Sequence, residues 1–158
     1  GEHTPARCNP CGVNFKQPSL PSRSQKPSSV VALCVDAGGN VLAVSRKGNP
    51  EDLGLVGGKI DSGDPSPVEA LCREFYEEVG VRVMPNELCF VYERVDPVSG
   101  HVAWCYQLMS GQTRGHPRAV EPGTWVGWVT PERLLDERCL FREYNLGLFK
   151  AVGLIPAE

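Results

Sequence analysis

At 158 residues the chain has room for one domain with a proper core and not for two. Hydrophobic residues make up 41% and charged ones 22%, an ordinary globular mix, and a formal net charge of −3 excludes a polycationic surface for indiscriminate DNA or RNA binding. No apolar run approaches the roughly 20 residues that span a bilayer, and the N-terminus has no apolar signal-peptide core, so neither a membrane partner nor export is expected.

The seven cysteines are an odd set. Cys34, Cys72, Cys89 and Cys105 lie in apolar-patterned segments, where cysteine behaves as a small hydrophobe, a usage that suits a reducing cytoplasm. Residues 1–27 are rich in Pro and Ser without hydrophobic periodicity and read as an extended or disordered arm ahead of a domain over 28–158. Within the arm, Cys8 and Cys11 form half of a zinc knuckle. A structural zinc needs four ligands, and no second Cys-x-x-Cys pair follows, so the two read as incidental.

"SSVVALCVD" has the pattern of a buried strand, with "AGGN" as a hairpin turn and "VLAVSRK" as its partner. "GNPEDLGLV" reads as irregular and "GGKIDSGDP" as a loop. A helix is expected from Pro67 to about Val79. Two strands follow, "LCFVYERV" and "HVAWCYQLM", joined by the turn "DPVSG". The polar loop "SGQTRGHPRAVEPGT" leads to a strand "WVGWV", and helical signals occupy 131–137 and about 142–152, with Thr130 as N-cap and Pro131 at N1. Strands interleaved with a few helices imply an α/β or α+β sandwich.

The helix over 67–79 is the best-specified element. Ser66 with Glu69 has the spacing of a capping box, Pro67 occupies N1, and Gly80 supplies the stop. At about 100° per residue, Val68, Leu71, Cys72, Phe75 and Val79 fall on one face, and Glu74, Glu77 and Glu78 gather on an adjacent stripe. Arg73 lies one turn from both Glu69 and Glu77 and can brace either. A charge run is ordinarily a solvated face. Here the acidic stripe borders the core face and directly follows a glycine-rich loop. Crowded carboxylates repel unless a cation joins them, and hard oxygen donors suit Mg²⁺ or Mn²⁺ together with substrate phosphates.

Residues 57–81, "GGKIDSGDPSPVEALCREFYEEVGV", resemble the signature box of the Nudix hydrolases: Gly, five residues, Glu, seven residues, then Arg-Glu-apolar-any-Glu-Glu-any-Gly-apolar. Gly58, Arg73, Glu74, Phe75, Glu77, Glu78, Gly80 and Val81 match, and "VLAVSRK" and "WVTPERL" look like its flanking segments, so the resemblance covers about 28–152. There are departures. One extra residue separates Gly58 from Arg73, falling at Pro65. Asp64 stands in place of the first Glu, and Val56 replaces a proline common before the glycines.

The resemblance implies a mixed central sheet flanked by helices and hydrolysis of a nucleoside diphosphate linked to another group, with Mg²⁺ or Mn²⁺. It implies Glu74, Glu77 and Glu78 as metal ligands and catalytic groups, Glu74 also as a base, and Arg73 as the residue that orients a glutamate. The carbonyl of Gly57 and a later glutamate, for which Glu121 is best placed, would complete the metal shell. Gly58, Lys59 and Arg46 would hold phosphate.

A nucleoside or deoxynucleoside triphosphate is the first substrate reading. ADP-ribose, another nucleotide sugar, a dinucleoside polyphosphate and a capped RNA end are alternatives, the last drawing on Arg7, Lys16, Arg23 and Lys26 of the arm. A nucleotide-binding module without turnover is a third reading, supported by the Asp64 and Pro65 irregularity alone. Tyr92, Trp104, Tyr106, Trp125 and Trp128 are candidates to stack on a base, though strand aromatics more often fill cores. Pro97 has the spacing of a mark of ADP-ribose-cleaving members but sits in an obvious turn. Family members are often homodimers, a partner this sequence does not specify.

Overall fold

The computed structural model describes residues 26–108, 113 and 115–157. The seven strands are β1 (Ser29–Leu33), β2 (Val41–Arg46), β3 (Asn49–Gly54), β4 (Val56–Lys59), β5 (Leu88–Val95), β6 (Val102–Leu108) and β7 (Val126–Val129). The helices are α1 (Pro67–Val79) and α2 (Arg142–Ala151), with short 3₁₀ turns at Pro85–Glu87 and Pro131–Leu135. One sheet has the order β4-β1-β6-β5 and the other β3-β2-β7. β1 and β6 run parallel, and the remaining pairs are antiparallel. This is the mixed α+β sandwich expected.

The sheets lie between the helices, and the period-2 alternation of strand side chains explains how. Val30 and Ala32 of β1 and Leu42 of β2 join the core under α1, around Leu71, Phe75 and Val79. Leu33, Val41 and Ala43 point the other way, into the core with Leu148 and Phe149 of α2. β1 is therefore apolar on both faces, which is why "VVAL" is a continuous apolar run.

Three expectations need correction. The turn after β1 closes as expected, with Gly39 at φ 83° and Asp36 N–H donating to the Asn40 carbonyl at 2.9 Å. The segments beside it do not continue as a hairpin: β1 and β2 enter different sheets and share the single bridge Val35–Val41. Second, the segments read as irregular and as a loop contain β3 and β4. Pro50, Gly54, Gly57 and Gly58 lower their strand propensity, and pairing with β2 and β1 overrides it. Third, the helical signal after Thr130 is a 3₁₀ turn, and the Thr130 side chain makes no capping bond.

Gly57 shows why β4 is built from glycine. A Cβ there would lie 2.2 Å from the Val30 carbonyl oxygen and 2.7 Å from the Val31 Cα, both backbone atoms of β1. Gly57→Ala is expected to lower stability by about 2–3 kcal/mol, read as a drop in the urea midpoint at unchanged slope.

Cys34, Cys72, Cys105 and Cys139 are free. Cys89 is buried in β5, as its apolar-patterned segment leads one to expect. Cys8, Cys11, Arg7, Lys16 and Arg23 lie outside the described residues. Among the described residues no helix is long and apolar enough to cross a membrane.

Candidate functional site

α1 starts and stops as its sequence dictates. The Ser66 hydroxyl accepts from Glu69 N–H at 3.2 Å, and Gly80 ends the helix at φ 73°. The return half of the capping box differs: Glu69 takes the Ser66 hydroxyl at 3.4 Å. With the register fixed, Leu71, Phe75 and Val79 are buried, and the glutamates meet the backbone of β4. Gly57 N–H donates to Glu78 Oε1 at 3.2 Å. At Gly58 a Cβ would sit 2.3 Å from Glu74 Oε2. Two glycines thus let a strand edge approach two carboxylates closely.

That closeness sets the electrostatics. Burial pushes the Glu78 carboxyl up to about 8, with Glu74 and Glu121 raising it further and the Gly57 N–H opposing. Burial also raises Glu74, against the pull of the Arg73 guanidinium. The two carboxyl groups are close enough to share a hydrogen bond. Glu77 is more than half exposed and turns to Arg73 Nη1 at 3.1 Å, away from this pair.

Arg73 organises the rim. Its Nε and Nη2 fork onto Asp64 at 2.9 and 3.0 Å, Nη1 also meets Glu74 at 3.3 Å, and Nη2 donates to the Lys59 carbonyl at 3.2 Å. Asp64 in turn accepts from Asp61 N–H at 2.8 Å, and the Arg73 fork holds its carboxyl below the usual range. The longer loop therefore makes up for the shorter side chain: one extra residue at Pro65 brings an aspartate within bidentate reach of Arg73. Asp64→Asn is expected to lower Tm by about 3–6 °C through loss of the charge-assisted fork. Asp64→Glu combined with deletion of Pro65 should retain the wild-type Tm, which thermal denaturation of the three proteins checks.

Glu121 arrives from a distant segment. Arg118 N–H donates to the Val79 carbonyl at 3.0 Å, holding residues 118–121 against the end of α1, and Glu121 pairs with Lys47 at 3.7 Å. A cavity of about 350 Å³ is lined by Gly57, Glu78, Glu121, Arg46, Lys47 and Asp52. A second, of about 580 Å³, is lined by Gly57, Gly58, Lys59, Phe141 and Tyr144 among others. Leu55, Gly57 and Phe141 line both, so the two adjoin.

The sequence-predicted residues therefore divide. Glu78, Glu121, Arg46 and Gly57 share one cavity, Gly58 and Lys59 face the other, and Glu74 and Arg73 lie behind them. The aromatics singled out in the sequence line neither cavity. Trp104 donates to Glu93 at 3.1 Å and packs on Phe90, Tyr92 packs on Tyr144, and the Trp125 ring covers Gly127. Lys47, Asp52 and Phe141 were not anticipated. Phe141, just before α2, remains 53% exposed between the cavities, the position the strand aromatics do not fill.

This strand–glycine–helix geometry has relatives. The NUDIX domain matches residues 25–146. The chain belongs to the Nudix family of hydrolases. The MutT NUDIX hydrolase from Burkholderia pseudomallei has a similar structure, at TM-score 0.55 and 32% identity over 78% of this chain and 98% of that one. A MutT-like protein of Streptomyces ambofaciens is 32% identical over 68% of this chain, a match that spans 66% of that relative, just short of two thirds. The CTP pyrophosphohydrolase of Escherichia coli K12 is 29% identical over 70% of this chain and 82% of its own. The fold of this Nudix hydrolase also resembles the solution structure of the E. coli ORF135 protein, at TM-score 0.56 and 24% identity.

Proposed function

We propose that this Nudix hydrolase converts a nucleoside triphosphate and water into a nucleoside monophosphate and pyrophosphate, with Mg²⁺ or Mn²⁺. The observation that carries this reading is the half-buried Glu74–Glu78 pair against the Gly57–Gly58 backbone, with Glu78 lining a cavity that also holds Arg46 and Lys47. The similarity to a CTP pyrophosphohydrolase favours the triphosphate over the other linked diphosphates.

The donor set suits a divalent cation. Among the described residues no three His, Cys, Asp or Glu side chains converge to hold an ion unaided. What the site offers is two hard carboxylates held close together in a half-buried place, with Glu121 lining the same cavity as Glu78, and Mg²⁺ ordinarily takes its remaining ligands from phosphate and water. Glu74, Glu78 and Glu121 would hold it, with the Gly57 carbonyl as a further oxygen. A bound cation neutralises phosphate charge and makes water a better nucleophile.

The chain's own groups do the rest. Arg46 and Lys47 bind the phosphates by charge-assisted bonds. A carboxylate of the Glu74–Glu78 pair takes a proton from the attacking water, and an affinity raised toward neutral pH suits that task. Arg73 orients Glu74. Phe141 offers a face for the base in the larger cavity.

The test is product analysis on a panel of nucleoside and deoxynucleoside triphosphates, ADP-ribose, a dinucleoside polyphosphate and capped RNA. Cleavage of triphosphates to monophosphate plus pyrophosphate is expected. Turnover confined to ADP-ribose, dinucleotides or capped RNA would overturn the substrate assignment.

A further inference from the structure

Asp52 is a charged residue that is almost fully buried, with 7% of its surface exposed, in a strand the sequence did not advertise. Burying a carboxylate is costly unless it is paired and hydrogen-bonded, so its partners indicate what it is for. It has two, one lining each of the adjoining cavities. One carboxylate oxygen accepts the Leu140 N–H at 2.9 Å, across 88 residues of sequence. The other faces Arg46 Nε at 3.6 Å. The neighbouring cations are engaged elsewhere: Arg138 forks onto Asp136 and pairs with Glu51, and Arg133 donates to the Glu51 carbonyl at 2.9 Å.

Arg46 sits at the end of β2, where the β2–β3 register shifts, and its side chain is 56% exposed. An arginine so placed has many rotamers, and ordering one on a ligand costs side-chain entropy. A carboxylate paired with its Nε at ion-pair distance restricts those rotamers beforehand and leaves the terminal nitrogens for a ligand. The bond to Leu140 fixes the residue directly before Phe141, which lines both cavities.

We infer that Asp52 is a positioning residue for substrate: it sets the Arg46 guanidinium toward the phosphates and fixes the wall that carries Phe141. This rests on the reading of the cleft as a nucleotide site given above.

A double-mutant cycle isolates the link to Arg46. Asp52→Asn keeps an oxygen for the Leu140 N–H and removes the charge that holds Arg46. Affinity for α,β-methylene CTP with Mg²⁺ is measured for wild type, Asp52→Asn, Arg46→Gln and the double variant, alongside Tm. Arg46→Gln is expected to weaken binding about tenfold, the loss of one charge-assisted contact, and Asp52→Asn about three- to tenfold. The double variant should bind no more weakly than Arg46→Gln alone. By NMR the Arg46 Nε–H should give a resolved resonance in the wild type that broadens or vanishes in Asp52→Asn. Additive losses, or a lower Tm with unchanged affinity and an unchanged resonance, overturn the inference and leave Asp52 as a brace. A neutral Arg46→Gln in a protein that does bind the analogue overturns it differently, by removing Arg46 from the phosphate site. If the wild type binds no analogue, the nucleotide reading falls and the substrate-positioning role with it.

Discussion

Replacing Glu78 by Gln is expected to abolish turnover and, at the same time, to stabilise the metal-free protein at alkaline pH. Loss of a carboxylate that would hold the cation should reduce kcat at least about 100-fold, at the severe end of what changes around metal sites cost. The stability effect follows from linkage. Glu78 has its carboxyl raised from the ordinary 4.5 to about 8 in the fold. Between those values the native state binds more protons than the unfolded chain, so wild-type stability falls as pH rises through that window. Glutamine does not titrate and keeps an oxygen for the Gly57 N–H. In EDTA the variant should match the wild type near pH 4.5 and exceed it by on the order of 3 kcal/mol at pH 9. Urea denaturation at the two pH values reads this directly. A variant destabilised equally at both would show that the folded state imposes no such cost on the Glu78 charge. Added Mg²⁺ should narrow the gap at pH 9, because the cation favours the wild-type native state.

The second large effect is expected from Arg73→Lys. The substitution keeps the charge and loses the planar fork. Arg73 serves Asp64 through two bonds at 2.9 and 3.0 Å, Glu74 and Glu77 through Nη1, and the Lys59 carbonyl through Nη2. A single ammonium cannot reach all of these, because its donors radiate from one nitrogen. Glu74 then loses the contact that sets its orientation, and β4 loses its tie to α1 at Lys59. A 10–100-fold rise in the Mg²⁺ needed for half-maximal activity is expected, the range for residues that orient metal ligands. A loss of about 1–2 kcal/mol in stability should accompany it. Unchanged Mg²⁺ dependence would mean that Arg73 serves the fold and not the glutamates.

The parts of this site that were legible in the sequence are those fixed by local rules. The register of α1 follows from Ser66, Pro67 and Gly80 within one segment, and with it come the shared stripe of Glu74 and Glu78 and the buried face of Leu71 and Phe75. What could not be read depends on partners far along the chain. β3 and β4 carry proline and glycine and become strands by pairing with β2 and β1. Gly57 is glycine because of Val30, and that clash exists only once β1 lies alongside. Asp64 departs from the box by residue type, and its fork onto Arg73 depends on a loop path that residue type does not encode. Asp52 meets Leu140, and Phe141 reaches the cleft, through contacts no spacing rule encodes. The strand aromatics were attractive stacking partners by residue type alone, and the fold spends them on packing.

The most direct measurement is ³¹P NMR of CTP incubated with the protein and Mg²⁺, followed by EDTA. The proposed function predicts conversion to CMP and pyrophosphate, arrest on chelation, and no conversion by Glu78→Gln. CTP that binds yet stays intact with both Mg²⁺ and Mn²⁺, or conversion that survives EDTA and Glu78→Gln, would contradict it.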